Sequence, residues 1–131
     1  MQETARRFPG IRFLIDHMGQ ENGPPPRASD EIFANWADVL KFASEPNVWM
    51  KVSFFPEAAY FSERYPFPAA QERFRELYEC VGASRLIWGS NFPPVKNVGA
   101  CTYQEALDFV RVHCDFLSAA DRDAILGGNF L

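Results

Sequence analysis

Three polar side chains, His17, Ser53 and Asn91, each stand at the end of a short apolar run, and their types suit the chemistry of hydrolysis. An imidazole can bind a metal, move a proton or polarise a carbonyl, and an amide can orient water or a substrate. Each also has a structural alternative. His17 could be a hydrogen-bonded structural histidine, and Asn91 could bond the backbone in the turn before Pro93.

Structural roles are expected for Ser53 and for two charged residues nearby, Lys51 and Asp16. Ser53 has no base nearby in the sequence, so we do not expect it to act as a nucleophile. Lys51 interrupts an apolar run, which favours a packed stem with an ion-paired head. Asp16 is expected on the other face of its strand, bonding the backbone or Arg12.

Apolar periodicity predicts the elements that must position these side chains. Continuous or alternating apolar runs indicate strands at 11–15, 48–54 and 85–91. Ser29 or Asp30 can cap a helix whose apolar stripe includes Trp36 and which ends before Pro46. Further amphipathic patterns predict helices at 2–8, 68–81, 103–114 and 119–126. The buried face predicted for the helix at 103–114 consists of Tyr103, Ala106, Leu107, Val110 and Cys114.

Strands that alternate with helices predict an α/β fold with a parallel sheet and right-handed crossovers. The carboxyl ends of parallel strands lie on one edge, so His17, Ser53 and Asn91 should share it. The loops at 24–27, 60–65 and 93–97 would surround that edge. Three parallel strands bury poorly alone, which indicates that the chain is part of a larger unit.

Composition excludes several classes of partner. The chain has 131 residues and a net charge of −4, so neither nucleic acid nor an anionic membrane is expected as a partner. No apolar run is long enough to span a membrane. An odd number of cysteines (Cys80, Cys101 and Cys114) without Cys-x-x-Cys spacing favours reduced thiols in a cytoplasmic protein and no structural zinc. His113 beside Cys114 is expected on a helix, not in a catalytic dyad.

The strand segments also carry a family resemblance. Residues 8–19, 47–53 and 85–93 resemble the last three strands of the amidohydrolase-related family of (β/α)8-barrel hydrolases and decarboxylases. Residues 114–118 and 125–129 are similar to that family's C-terminal helix pair. The resemblance implies a partial TIM barrel of about three parallel βα units, with residues 1–131 forming a single partial domain.

The resemblance also implies roles for two residues. His17 matches the histidine that closes the family's sixth strand and binds a catalytic divalent metal, zinc or manganese, or the substrate. Asn91 stands where the family usually has an aspartate that ligates metal and takes a proton from water. An amide cannot take up that proton near neutral pH, so Asn91 would position water or substrate. The His-x-His or Glu-x-His pair of the family's first strand has no counterpart here.

These observations favour a hydrolase of a small carboxylated, ester or lactone substrate, with His17 as metal ligand or electrophile and Asn91 as its catalytic partner. The alternative is a catalytically inactive fragment or assembly partner that lacks the N-terminal metal ligands. In either case exposed sheet edges could drive homo-oligomerisation. A freestanding phosphate-binding domain is disfavoured, because Glu21 in the loop after the first strand would repel phosphate.

Overall fold

A three-stranded parallel sheet organises the chain. The computed structural model describes residues 2–20, 33–53, 64–92 and 101–130. Its strands are β1 (Phe13–Ile15), β2 (Val48–Val52) and β3 (Leu86–Trp88), with β2 in the centre. Both pairings are parallel, so the carboxyl ends of all three strands lie on one edge, as the sequence predicts.

All three strands are shorter than their predicted runs. Residues 11–12 precede β1, β2 ends before Ser53, and β3 excludes Arg85 and residues 89–91. The helices, in chain order, are α1 (Gln2–Arg7), α2 (Trp36–Ala43), α3 (Pro68–Val81), α4 (Tyr103–Asp108) and α5 (Ala119–Leu126).

The bounds of α2 and α3 test the predicted helix signals. The pattern at 68–81 predicts α3 correctly, because Pro68 suits a first turn and Gly82 ends the helix with a φ of 72°. Helix α2 begins at Trp36, later than expected, because residues 33–35 form a turn. The predicted cap at Ser29 or Asp30 lies outside the described residues.

Helix α4 continues as a π-helical turn over Phe109–His113. A π-helical turn bonds each residue to the fifth residue along the chain and not to the fourth. The stripe predicted for a regular helix is only partly kept, and Leu107 is half-buried. Phe109 is fully buried, whereas Tyr103, which the regular stripe predicts to be buried, is 50% exposed. The expected burial of Ala106, Val110 and Cys114 is confirmed.

The helices cover one face of the sheet. Val48, Met50 and Val52 of β2 have no exposed surface and join the core that α2 and α3 contribute to. Trp49 and Lys51 point to the opposite face and are only partly buried. In the parts of the chain that are described, no helix is long and apolar enough to cross a membrane.

Candidate functional site at the carboxyl edge of the sheet

His17 and Ser53 meet at the carboxyl edge. A tight turn, Asp16–Gly19, follows β1, and its central residues His17 and Met18 both have left-handed backbone angles, with φ of 56° and 52°. The Met18 side chain is fully buried and anchors the turn in the core. The His17 ring then reaches the end of β2, where its Nδ1 lies 3.0 Å from Oγ of the fully buried Ser53.

Two consecutive left-handed residues with side chains are strained. The left-handed region costs a non-glycine residue about 1–2 kcal/mol. Gly19, with a φ of 71°, completes the turn, and a Cβ there would lie 3.0 Å from a methyl carbon of Val39. Strain of this kind persists where surrounding packing fixes the conformation, and it is concentrated at functional sites.

Lys51 links all three strands at this edge. Its Nζ lies 3.0 Å from Oδ1 of Asp16, and its stem crosses Gly89, where a Cβ would lie 2.6 Å from Lys51 Cε. The packed stem and ion-paired head predicted for Lys51 are therefore confirmed. The expectation for Asp16 is wrong, because the turn after β1 directs its carboxylate to Lys51 and not to Arg12 or the backbone.

The His17 ring is held toward its neutral form. Burial lowers its pKa because water no longer solvates the imidazolium, and the nearby Lys51 ammonium lowers it further. The Asp16 carboxylate opposes these effects and favours the charged ring. The net result is a lowered pKa, which suits a histidine that polarises a substrate group without carrying a charge.

Asn91 lies three residues beyond β3, on the edge that also holds His17 and Ser53. It also has a left-handed φ, of 51°. A hydrogen bond stabilises the turn at this residue: the Phe92 amide donates to Oγ of Ser90 at 3.2 Å. The loops predicted around this edge, at 24–27, 60–65 and 93–97, lie outside the described residues except for 64–65.

Sequence reasoning missed a second polar contact and a buried amide. Tyr65 Oη lies 2.5 Å from Nε2 of His113. This contact joins the segment before α3 to the π-helical turn. Burial raises the pKa of the Cys114 thiol to about 12, which disfavours the thiolate that a nucleophilic cysteine needs. Gln20 is 8% exposed, and its amide has no partner among the described residues. Only the long-range folding of the chain reveals these environments.

The described residues do not form a metal site. Nowhere in the ranges that the structure describes do three or more His, Cys, Asp or Glu side chains come together as ligands. Asp16, the acidic neighbour of His17, is bound to Lys51. A tetrahedral or octahedral ion needs more protein ligands than His17 alone provides. The predicted metal role of His17 therefore finds no support in these residues.

The fold defines a class of protein: three adjacent parallel βα units of a (β/α)8 barrel, an architecture whose members bind substrate at the carboxyl ends of the strands. The sequence matches the family described as amidohydrolase over residues 1–129. The chain belongs to this family, which confirms the resemblance seen in the strand segments.

Solved structures and a curated relative agree with this assignment. A zinc-bound amidohydrolase of Burkholderia multivorans superposes with a TM-score of 0.79 at 27% identity, covering 98% of this chain and 45% of its own. A candidate 2-pyrone-4,6-dicarboxylic acid hydrolase of Pseudomonas putida gives a TM-score of 0.71 at 23% identity, covering 99% and 46%, and shows the fold alone. The L-fucono-1,5-lactonase of Burkholderia ambifaria is 34% identical over 130 residues, 95% of this chain and 42% of that protein.

The chain thus spans less than half the length of the relatives that it matches. The fold prediction is confirmed as a partial barrel of parallel βα units. The catalytic assignments of His17 and Asn91 remain predictions.

Proposed function

We propose that the carboxyl edge of the sheet hydrolyses a small lactone or carboxylated ester. The observation that carries the proposal is the His17–Ser53 contact, because it fixes an uncharged, half-buried imidazole at the edge where barrel enzymes bind substrate. The similarity to a lactonase supports a cyclic ester as the substrate.

In the proposed reaction, His17 polarises the carbonyl of the substrate and Asn91 orients a water molecule. Water attacks the carbonyl carbon and forms the new C–O bond. The bond from that carbon to the ring oxygen then breaks, and the alkoxide takes up the proton that water loses. The product is an open-chain hydroxy acid. Polarisation by a positioned donor lowers the barrier because negative charge develops on the carbonyl oxygen.

The direct test is turnover of L-fucono-1,5-lactone and simple lactones by the purified chain, measured from the acid that hydrolysis releases. We expect His17→Ala to lower kcat/KM by about 10²-fold, the effect of removing one donor to the developing oxyanion. Ser44→Ala is a matched control, because the Ser44 hydroxyl bonds the Lys41 carbonyl at the end of α2 and should leave turnover unchanged. A kcat/KM in His17→Ala equal to that of the wild type would overturn the assignment.

The second candidate is an inactive assembly partner. The observation that favours it is the lack of a three-ligand metal group in the described ranges, since a zinc-bound relative has the same fold. A folded chain without turnover, with or without added zinc, would support this candidate. Turnover that His17→Ala abolishes would exclude it.

A further inference from the structure

The group against the His17 ring is a hydroxyl and not a carboxylate. Ser53 Oγ lies 3.0 Å from Nδ1, and Ser53 has no exposed surface. A buried hydroxyl requires an acceptor for its hydrogen, because bulk water cannot reach it. Within the ranges that the structure describes, His17 Nδ1 is the acceptor that Ser53 Oγ reaches.

The direction of this hydrogen bond sets the tautomer of His17. A neutral imidazole has one N–H and one acceptor nitrogen. If Nδ1 accepts from Ser53, the ring proton is on Nε2. In the opposite arrangement Nδ1–H would donate to Oγ, and the Ser53 O–H would lose its acceptor inside the protein, which is unfavourable.

We propose that Ser53 is a positioning residue for His17: its hydroxyl donates to Nδ1 and holds the neutral ring with its proton on Nε2. Nε2–H is then a hydrogen-bond donor suited to the carbonyl oxygen of an ester or lactone. The identity of that acceptor rests on the proposed function, but the tautomer does not.

The same arrangement disfavours His17 as a metal ligand through Nε2. A metal ion binds an unprotonated ring nitrogen, and here that nitrogen is Nδ1, which faces Ser53. This agrees with the lack of a three-ligand group in the described residues. His17 is therefore assigned as an electrophile and not as a zinc or manganese ligand.

The neighbouring strand fixes the position of Ser53. The Gly89 amide donates to the Val52 carbonyl at 3.1 Å, among the described residues the last ladder bond between β3 and β2 and directly before Ser53. A Cβ at Gly89 would lie 3.5 Å from Ser53 Cβ, in van der Waals contact. Ser53 thus lies beside the backbone that follows β3, and its hydroxyl reaches the His17 imidazole.

The chain has only two histidines, so nuclear magnetic resonance can read the tautomer directly. The chain is labelled with ¹⁵N-histidine and measured above the pH range in which imidazole ordinarily titrates. His17→Gln removes one set of ring signals and assigns the other to His113. We expect His17 to carry its proton on Nε2, with an Nδ1 shift typical of a hydrogen-bonded acceptor.

Substitutions at Ser53 test its role. In Ser53→Ala we expect the Nδ1 signal to move downfield toward the value of an unbonded nitrogen, and kcat to fall more than KM changes. Ser53→Thr keeps the hydroxyl and should keep the wild-type spectrum. Ser44→Ala is the control for loss of a hydroxyl elsewhere and should change neither readout.

Two results would overturn the proposal: a wild-type His17 protonated on Nδ1, or a Ser53→Ala spectrum identical to wild type. If Ser53→Ala does not fold, the proposal is still tested by the tautomer of His17 in the wild type and by the spectrum of Ser53→Thr. The expected spectrum without any lactone turnover would count against the proposed function while supporting the role of Ser53. Added Zn²⁺ that replaces the Nε2 proton would contradict the electrophile assignment.

Discussion

At the scale of single residues, the contact between His17 and Ser53 depends on backbone angles. Because His17 follows β1 in a left-handed conformation, its ring reaches the end of the neighbouring strand. The apolar run predicts where the strand lies and which polar residue follows it. It does not predict a positive φ at a histidine, which is uncommon and stands here beside the fully buried Met18.

Backbone strain at His17 predicts an order of stability among its variants. His17→Ala loses the Ser53 contact and keeps the left-handed strain, whereas His17→Gly loses the contact and relieves the strain. We expect His17→Gly to be more stable than His17→Ala by about 1 kcal/mol. Urea unfolding measures the difference. An Ala variant as stable as the Gly variant would show that this turn is not strained.

Asn91 provides a second prediction at this scale. Asn91→Asp introduces a carboxylate that can accept a proton from water, and aspartate tolerates the left-handed φ of 51°. We expect lactone turnover to increase, by up to about 10²-fold for a well-placed general base. Asn91→Ala should lower it. Unchanged turnover in both variants would place Asn91 outside the catalytic site.

At the scale of elements, predictions succeed where local signals agree. Helix α3 has a proline at its start, a glycine at its end and one apolar stripe, and its bounds follow from these features. The π-helical turn after α4 has no comparable local signal. Its Phe109 stacks on Phe74 of α3 with ring centroids 6.4 Å apart, a long-range contact that the local pattern does not reveal. Strand lengths are also set by pairing partners, which the apolar runs do not reveal.

The attachment of α1 predicts a pH dependence. Glu45 accepts hydrogen bonds from Arg6 and Gln2 at 2.8 and 2.7 Å, and these bonds, Arg6 first, lower its pKa below the ordinary value of 4.5. The unfolded chain therefore binds the proton at a higher pH than the folded chain. This contribution to stability is complete above the unfolded pKa and is lost as pH falls through the folded pKa.

Chemical denaturation across the acid range measures this effect. Glu45→Gln should be less stable than wild type at neutral pH and should lose less stability on acidification. Glu79→Gln, at an exposed position on α3, is the matched control and should follow the wild-type profile. A Glu45→Gln profile as steep as wild type would contradict the assigned cause.

At the scale of the whole molecule, the described residues leave part of the sheet face away from the helices exposed, although Ile87 on β3 is buried. Leu14 on β1 is 49% exposed, and Phe130 near the end of the chain is 69% exposed. The Arg12 guanidinium lies 5.7 Å from the ring centroid of Trp49 and covers part of this face. Sequence reasoning predicts such a surface, since parallel sheets are normally covered on both sides.

The exposed apolar residues predict self-association through the outer side of β1, which pairs only with β2 among the described residues. We expect the sedimentation coefficient to rise with protein concentration, because an open apolar edge strand pairs readily with another copy. Leu14→Lys places a charge on that edge and should reduce association. Val112→Lys removes a side chain of similar exposure (58%) from the π-helical turn and should not. A chain that is monomeric at every concentration would contradict this prediction.

The central claim is that the carboxyl edge holding His17, Ser53 and Asn91 binds the substrate. The most direct measurement is a ¹H–¹⁵N spectrum of the chain titrated with the stable hydroxy acid that L-fucono-1,5-lactone yields on hydrolysis. We predict that the backbone amides of these three residues shift most, while that of Asn47 at the opposite edge stays in place. Shifts centred on Asn47, or amides of His17, Ser53 and Asn91 that do not move, would contradict the account.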